Sequence, residues 1–210
     1  MFNLEYIILF RIPNLLIALT FHEFCHAYMA VRCGDLTPKF MGRLTLNPLA
    51  HLDPIGAICL LFAPIGWAKP VPINPYNFRN PSKDDILVSL AGPFSNIAIA
   101  AVMGSILRLI FILQLPVPDM AVKFLFIGIL MNIGIALFNL IPVYPLDGHH
   151  ILRELLPSYQ AKEKYAAFNR IAPIILLVII VGVPDLLWKV LEPPFTFLFW
   201  LFTGISDFIW

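Results

Sequence analysis

Residues 6–31, YIILFRIPNLLIALTFHEFCHAYMAV, decide how this chain is read. The stretch is long enough to cross a bilayer, which takes about 20 mostly apolar residues. It nevertheless carries His22, Glu23 and His26 in its interior. An ionisable group at membrane depth costs about 2.5 kcal/mol or more, so three within five residues demand a function. On a helix, His22 and His26 stand one turn apart on one face, the spacing at which two imidazoles grip one metal ion. Glu23 lies about 100° round the same helix, within reach of a water at that metal. Zinc brings the pKa of such a water to about 7, and a nearby carboxylate then takes its proton. With so few His and Glu in the chain, chance would place His-Glu-x-x-His in it only about 0.003 times. The pattern is that of a metallohydrolase set in a membrane span.

The rest of the chain agrees with a lipid setting. Of 210 residues, 60% are hydrophobic and 13% charged, against about 25% charged in soluble domains. That balance excludes a disordered chain, a nucleic-acid binder and an ordinary soluble enzyme. A net charge of +1 gives no field to gather a polyanion. Cys25, Cys33 and Cys59 form no paired framework. Residues 86–107 and 124–146 carry no charge and predict two further spans. Residues 171–188 predict a fourth, interrupted late by Pro184 and Asp185, and residues 195–210 a short aromatic fifth. No basic region or cleavage site precedes the His-Glu cluster, so the first segment is expected to stay as a permanent span.

Basic residues set the expected orientation. Arg32, Lys39, Arg43, Lys69, Arg79 and Lys83 lie in one connection and Arg153, Lys162, Lys164 and Arg170 in another. Alternating spans put both on one side, which should be cytoplasmic, with the N-terminus outside. Residues 54–68 are charge-free but too short and too broken by Gly56, Pro64 and Gly66 to span. A re-entrant or membrane-edge element is expected there. Pro70, Pro72, Pro75 and Pro81 predict extended chain over 69–81. The expected fold is an all-α polytopic membrane protein with four to five or more membrane segments and a small membrane-associated β or re-entrant element. Residues 1–210 read as a single domain, with a catalytic core over about 5–150 and C-terminal membrane segments over about 171–210.

Two histidines do not hold a catalytic zinc; a third ligand is needed, with a fourth position open. Among His51, His149, His150, Asp53, Asp119, Asp147, Glu154 and Asp185, Asp147 is the best placed. It follows the third apolar run. Pro142 and Pro145 break the helix there, and Gly148 permits a tight turn. His51 and Asp53 read first as turn residues, and His149 and His150 as interface residues.

Three pieces together resemble the site-2 protease family of intramembrane zinc metalloproteases, in its minimal form without PDZ or CBS domains. They are His22-Glu23-x-x-His26, Ala91-Gly92-Pro93-Phe94-Ser95-Asn96, and Asn139-x-x-Pro142 leading to Leu146-Asp147-Gly148. The resemblance implies that His22, His26 and Asp147 bind one Zn²⁺ per chain and that Glu23 is the general base. It implies a catalytic part for Asn96 in holding substrate or the oxyanion; Asn139 reads as a hydrogen-bonding support near Asp147, against simple packing across helices. It implies a multi-pass protein of a bacterial or archaeal cell membrane that cuts transmembrane proteins or peptides toward the cytoplasmic side. The extended loop would then offer an edge to an unwound substrate. The partners are the bilayer and such substrates, with no nucleic acid and no oligomeric state implied. A zinc or ion transporter and a non-catalytic zinc-binding membrane scaffold are the rival readings. Loss of cleavage on Glu23→Gln with zinc retained separates them.

Overall fold

A computed structural model describes residues 7–53, 56 and 68–206. These are predominantly helical. After a π-helical turn, Ile7–Arg11, α1 runs over Ile12–Cys33. Pro13 sits in its first turn, where the missing N–H costs nothing. Gly34, at φ 113°, ends it in the left-handed conformation. The longest helix, α2, spans Pro81–Ile112. It starts where the Asp84 carboxylate accepts from the Asn80 amide at 2.8 Å. The next, α3, covers Asp119–Asn139. Short helices follow: α4 over Asp147–Leu155, α5 over Tyr159–Phe168 and α6 over Ala172–Gly182. The described chain closes with α7, Pro184–Thr203.

Two expected boundaries move. The span expected over 124–146 ends at Asn139, because Pro142 and Pro145 cannot continue a helical hydrogen-bond ladder. Asp147 therefore does not close a span; it opens α4. The run expected over 171–188 breaks at Val183, and Pro184 starts a new helix that absorbs most of the expected tail.

By length and apolarity, α2 and α3 are fit to cross a membrane. The pair α5 and α6, bent by 49°, makes a third candidate. With 22 residues, α1 has the length, but His22, Glu23 and His26 interrupt its apolar surface. The organising helix is α2: α1, α3, α4 and α7 all pack on it. Ala100, Leu107, Ile129, Ile133, Phe195 and Phe199 form a buried cluster between α2, α3 and α7. Ala30, Cys33, Phe78 and Val88 form another where α1 meets α2 and the preceding loop.

The loop between α1 and α2 is tied down by two buried charges. Burial alone would raise the Asp35 carboxyl, yet donors from Asn74, Thr37 and Asn77 hold it below the usual carboxylate range. The Asn74 amide donates to it at 2.7 Å and the Asn77 side chain at 2.8 Å. The Arg43 guanidinium donates to the carbonyls of Ala50, Lys69 and Pro70. Leu52 and Ala68 form an antiparallel bridge, with the Lys69 amide on the His51 carbonyl at 2.9 Å. There is no sheet among the described residues. The re-entrant element expected over 54–68 lies, but for Gly56 and Ala68, outside them. Extended chain is expected over 69–81; residues 69–80 form no regular strand, with a 3-10 turn at Pro75–Asn77 flanked by extended Asn74 and Phe78.

Candidate metal centre

His22 and His26 are both buried on α1. Their rings meet edge to face, with centroids 4.6 Å apart. His22 Nδ1 lies 2.7 Å from the Asn96 Oδ1, and His26 Nδ1 lies 2.7 Å from the Val88 carbonyl oxygen. Both partners are acceptors. Each neutral imidazole therefore carries its proton on Nδ1 and turns a bare Nε2 lone pair inward.

The two Nε2 atoms are 3.0 Å apart. Asp147 Oδ2 stands 3.2 Å from the first and 3.3 Å from the second. That oxygen is buried and receives no hydrogen bond. Three lone-pair donors facing one another without a proton between them call for a cation. Zinc with bonds of 2.0–2.1 Å in tetrahedral coordination has ligand atoms about 3.3 Å apart. The donor set thus fits zinc in size and in chemistry. Among the described residues, His22, His26 and Asp147 are the group able to hold a metal.

Two glycines make this approach possible. A Cβ on Gly92 of α2 would lie 2.6 Å from His22 Nε2 and closer still to His26 Nε2. A Cβ on Gly148 would run into the carbonyl oxygens of Leu140 and Ile141. Gly148, expected to permit a tight turn, lies in the first turn of α4 without a positive φ. Close approach of α4 to the end of α3 is what requires glycine there.

Asp147 is held through the body of α4. The buried Asp85 carboxylate on α2 receives Arg153 Nη2 at 3.0 Å and faces His150 Nδ1 at 3.3 Å. Arg153 Nε also donates to Glu154 at 2.9 Å, and Lys162 on α5 donates to the other Glu154 oxygen at 2.9 Å. Burial alone would raise the Glu154 carboxyl, but Lys162, Ser82 and Arg153 bring it down to about 2. His149 is buried and stacks on Tyr165; burial, with His150 and Arg153 nearby, pushes it down to about 4.

The remaining expected residues distribute as follows. Glu23 neighbours the metal-type group in sequence, and its Oε2 accepts the Val71 amide at 3.1 Å. Asn96 is fully buried. Its Nδ2 donates to the Ala18 carbonyl at 3.0 Å and to Asn132 Oδ1 at 2.9 Å. Both its N–H bonds are spent, so the amide offers no donor to a substrate oxyanion in this arrangement. Asn139 donates back to Ile135 of its own helix at 2.9 Å rather than toward Asp147. His51 is buried with Nε2 on the Thr45 carbonyl at 2.8 Å, apart from the group.

Sequence reasoning passed over Asn132, Asp85, Arg153, Val88 and Val71. An amide in the charge-free run 124–146 is the one signal that pointed to Asn132. Val88 and Val71 act through backbone atoms, which no side-chain pattern reveals.

Two imidazoles from one helix and a carboxylate from the start of another, beside a glutamate in the His-Glu-x-x-His order, make a donor set of the metallohydrolase type in a helical, apolar chain. The family model for peptidase family M50 matches residues 106–183. The chain is 38% identical over 189 residues to a Bacillus subtilis protein named as a zinc metalloprotease, YwhC, covering 87% of this chain and 86% of that one. It is 30% identical over 203 residues to Rip2 of Mycobacterium tuberculosis, covering 93% and 74% respectively. It is 28% identical over 204 residues to Rip2 of Mycolicibacterium smegmatis, covering 94% and 75%. Both Rip2 proteins are likewise named as zinc metalloproteases. No solved structure matches. The chain belongs to peptidase family M50, a family of hydrolases that use zinc.

Proposed function

We propose that this protein is an intramembrane zinc metalloendopeptidase that hydrolyses peptide bonds within transmembrane segments of other proteins. The observation that carries the proposal is the convergence of His22 Nε2, His26 Nε2 and Asp147 Oδ2 within 3.0–3.3 Å of one another, inside a helical membrane-type core. In this reading those three side chains hold one Zn²⁺. Zinc bound there supplies a Lewis acid that polarises a peptide carbonyl and acidifies a water.

The chain's own groups do the rest. Glu23 accepts a proton from the attacking water and returns it to the leaving amine. Asn96 and the Val88 carbonyl keep the two imidazoles aimed at the metal. The contact between Val71 and Glu23 brings the extended stretch to the site, where its edge is available to a substrate that has unwound. In the membrane, α1, α2, α3 and α6, with α7 as a fifth, make four to five segments. His26 lies in the half of α1 that leads into the basic 32–85 connection, which supports a site toward the cytoplasmic side.

The test compares the wild type with Glu23→Gln, each as the full chain in detergent or vesicles with a single-span substrate. Equal zinc content is expected, with cleavage at least about a hundredfold slower in the variant. Equal cleavage by both would overturn the role of Glu23. Zinc flux across vesicles without any cleavage would favour the transporter reading.

A further inference from the structure

Asn132, in the middle of α3, is fully buried. Its Nδ2 donates to the carbonyl of Gly128 on its own helix at 2.8 Å, which turns its Oδ1 outward. Asn96 on α2 places Nδ2 against that Oδ1 at 2.9 Å and against the Ala18 carbonyl of α1 at 3.0 Å. The remaining Asn96 oxygen meets His22 Nδ1 at 2.7 Å.

The direction of this chain of bonds follows from its two fixed points. Carbonyl oxygens of Gly128 and Ala18 only accept, so each amide nitrogen must face them. With Asn132 so turned, a rotation of Asn96 by 180° would set oxygen against oxygen at both Asn132 and Ala18. It would also set the Asn96 NH₂ against His22 Nδ1, forcing the imidazole proton onto Nε2 and removing the lone pair that faces Asp147. Asn96 and Asn132 are fully buried, so no water competes for these amides and a mispaired one has no other partner.

We infer that Asn132, acting through Asn96, is a positioning residue that fixes His22 in the tautomer and orientation able to ligate zinc. The inference rests on the metal assignment made above and extends it across three helices. It also gives the Asn96 amide a different task from oxyanion binding: its oxygen orients a ligand.

The experiment uses the full chain in detergent micelles, with zinc affinity measured by chelator competition. Its variants are Asn132→Leu, which removes donor and acceptor at similar size, and Asn132→Asp, which when protonated keeps both. Outer partners of a metal ligand contribute roughly 10–100-fold to affinity. Asn132→Leu is expected to weaken zinc binding by that factor, and Asn132→Asp to restore it to within a few-fold of wild type. A cobalt-substituted sample should show a changed visible spectrum for Asn132→Leu and the wild-type spectrum for Asn132→Asp. Wild-type zinc affinity in a folded Asn132→Leu would overturn the relay. Should that variant not fold, nitrogen chemical shifts of the metal-free wild type decide: His22 must carry its proton on Nδ1, and a proton on Nε2 would overturn the relay. Absence of zinc binding in the wild type would instead defeat the metal assignment, so the two failures are distinguishable.

Discussion

Among the described residues, the backbone proton that meets Glu23 is that of the Val71 amide, at 3.1 Å. Its effect is open to an unusually clean deletion, because Val71 stands between Pro70 and Pro72 in extended chain. A residue preceding proline is already kept out of the helical region, and Val71→Pro removes the N–H from such a position. Hydrogen bonds to charged groups contribute about 1.5–3 kcal/mol. The expected outcome is a kcat lowered about tenfold with zinc content unchanged, read by cleavage kinetics beside metal analysis. Unchanged kcat would mean that the contact does not serve Glu23. The three proposed ligands were legible in the sequence because each is an ionisable group at a place where an apolar run or a helix break makes it expensive or conspicuous. Their partners were not. Val88 contributes a carbonyl, Gly92 contributes the absence of a side chain, and Asn96 has a task that depends on which way its amide faces.

Helix α4 delivers Asp147, and its attachment is electrostatic. Arg153 links Asp85 on α2 to Glu154, and Lys162 on α5 completes the set. The Glu154 carboxyl is depressed to about 2 in the folded chain, against an ordinary value near 4.5. A depressed carboxylate stabilises the fold above its unfolded pKa, and that contribution disappears as pH falls through the folded value. Thermal stability should therefore fall between about pH 4.5 and 2 in the wild type, and Glu154→Gln should show a flatter dependence in that window, read by melting curves in detergent. An identical slope in both would show that Glu154 is not the group responsible. At this level the sequence located α2 and α3 by their apolar runs and placed breaks at Pro142, Pro145 and Pro184. It overran α3, because apolar composition persists from Asn139 to Leu146 while proline has already ended the helix. It could not show that α4 locks onto Asp85, since that pair is 68 residues apart and meets only through packing.

Across the molecule, the two basic connections meet at one end, where Asp85 joins Arg153, while the α2–α3 turn lies at the other. Cysteines introduced at Met41 and at Leu113, both exposed, test this against the membrane. In intact cells a membrane-impermeant maleimide should label Leu113→Cys, and Met41→Cys only after lysis; the opposite pattern would invert the topology. The charge asymmetry from which this orientation is proposed lies in the sequence, as does the apolar composition. The angles between helices, and with them the distance from α1 to Asp147, were not, because close approach is decided by glycine contacts such as that of Gly92. The central claim is that one zinc is gripped by two imidazoles of α1 and the carboxylate that opens α4. X-ray absorption at the zinc edge of the purified full chain addresses it directly. One equivalent of zinc is expected, with nitrogen and oxygen neighbours at about 2.0–2.2 Å and no sulfur, and that signal is lost in Asp147→Ala. A sulfur neighbour at about 2.3 Å, or an unchanged zinc environment in Asp147→Ala, would contradict it.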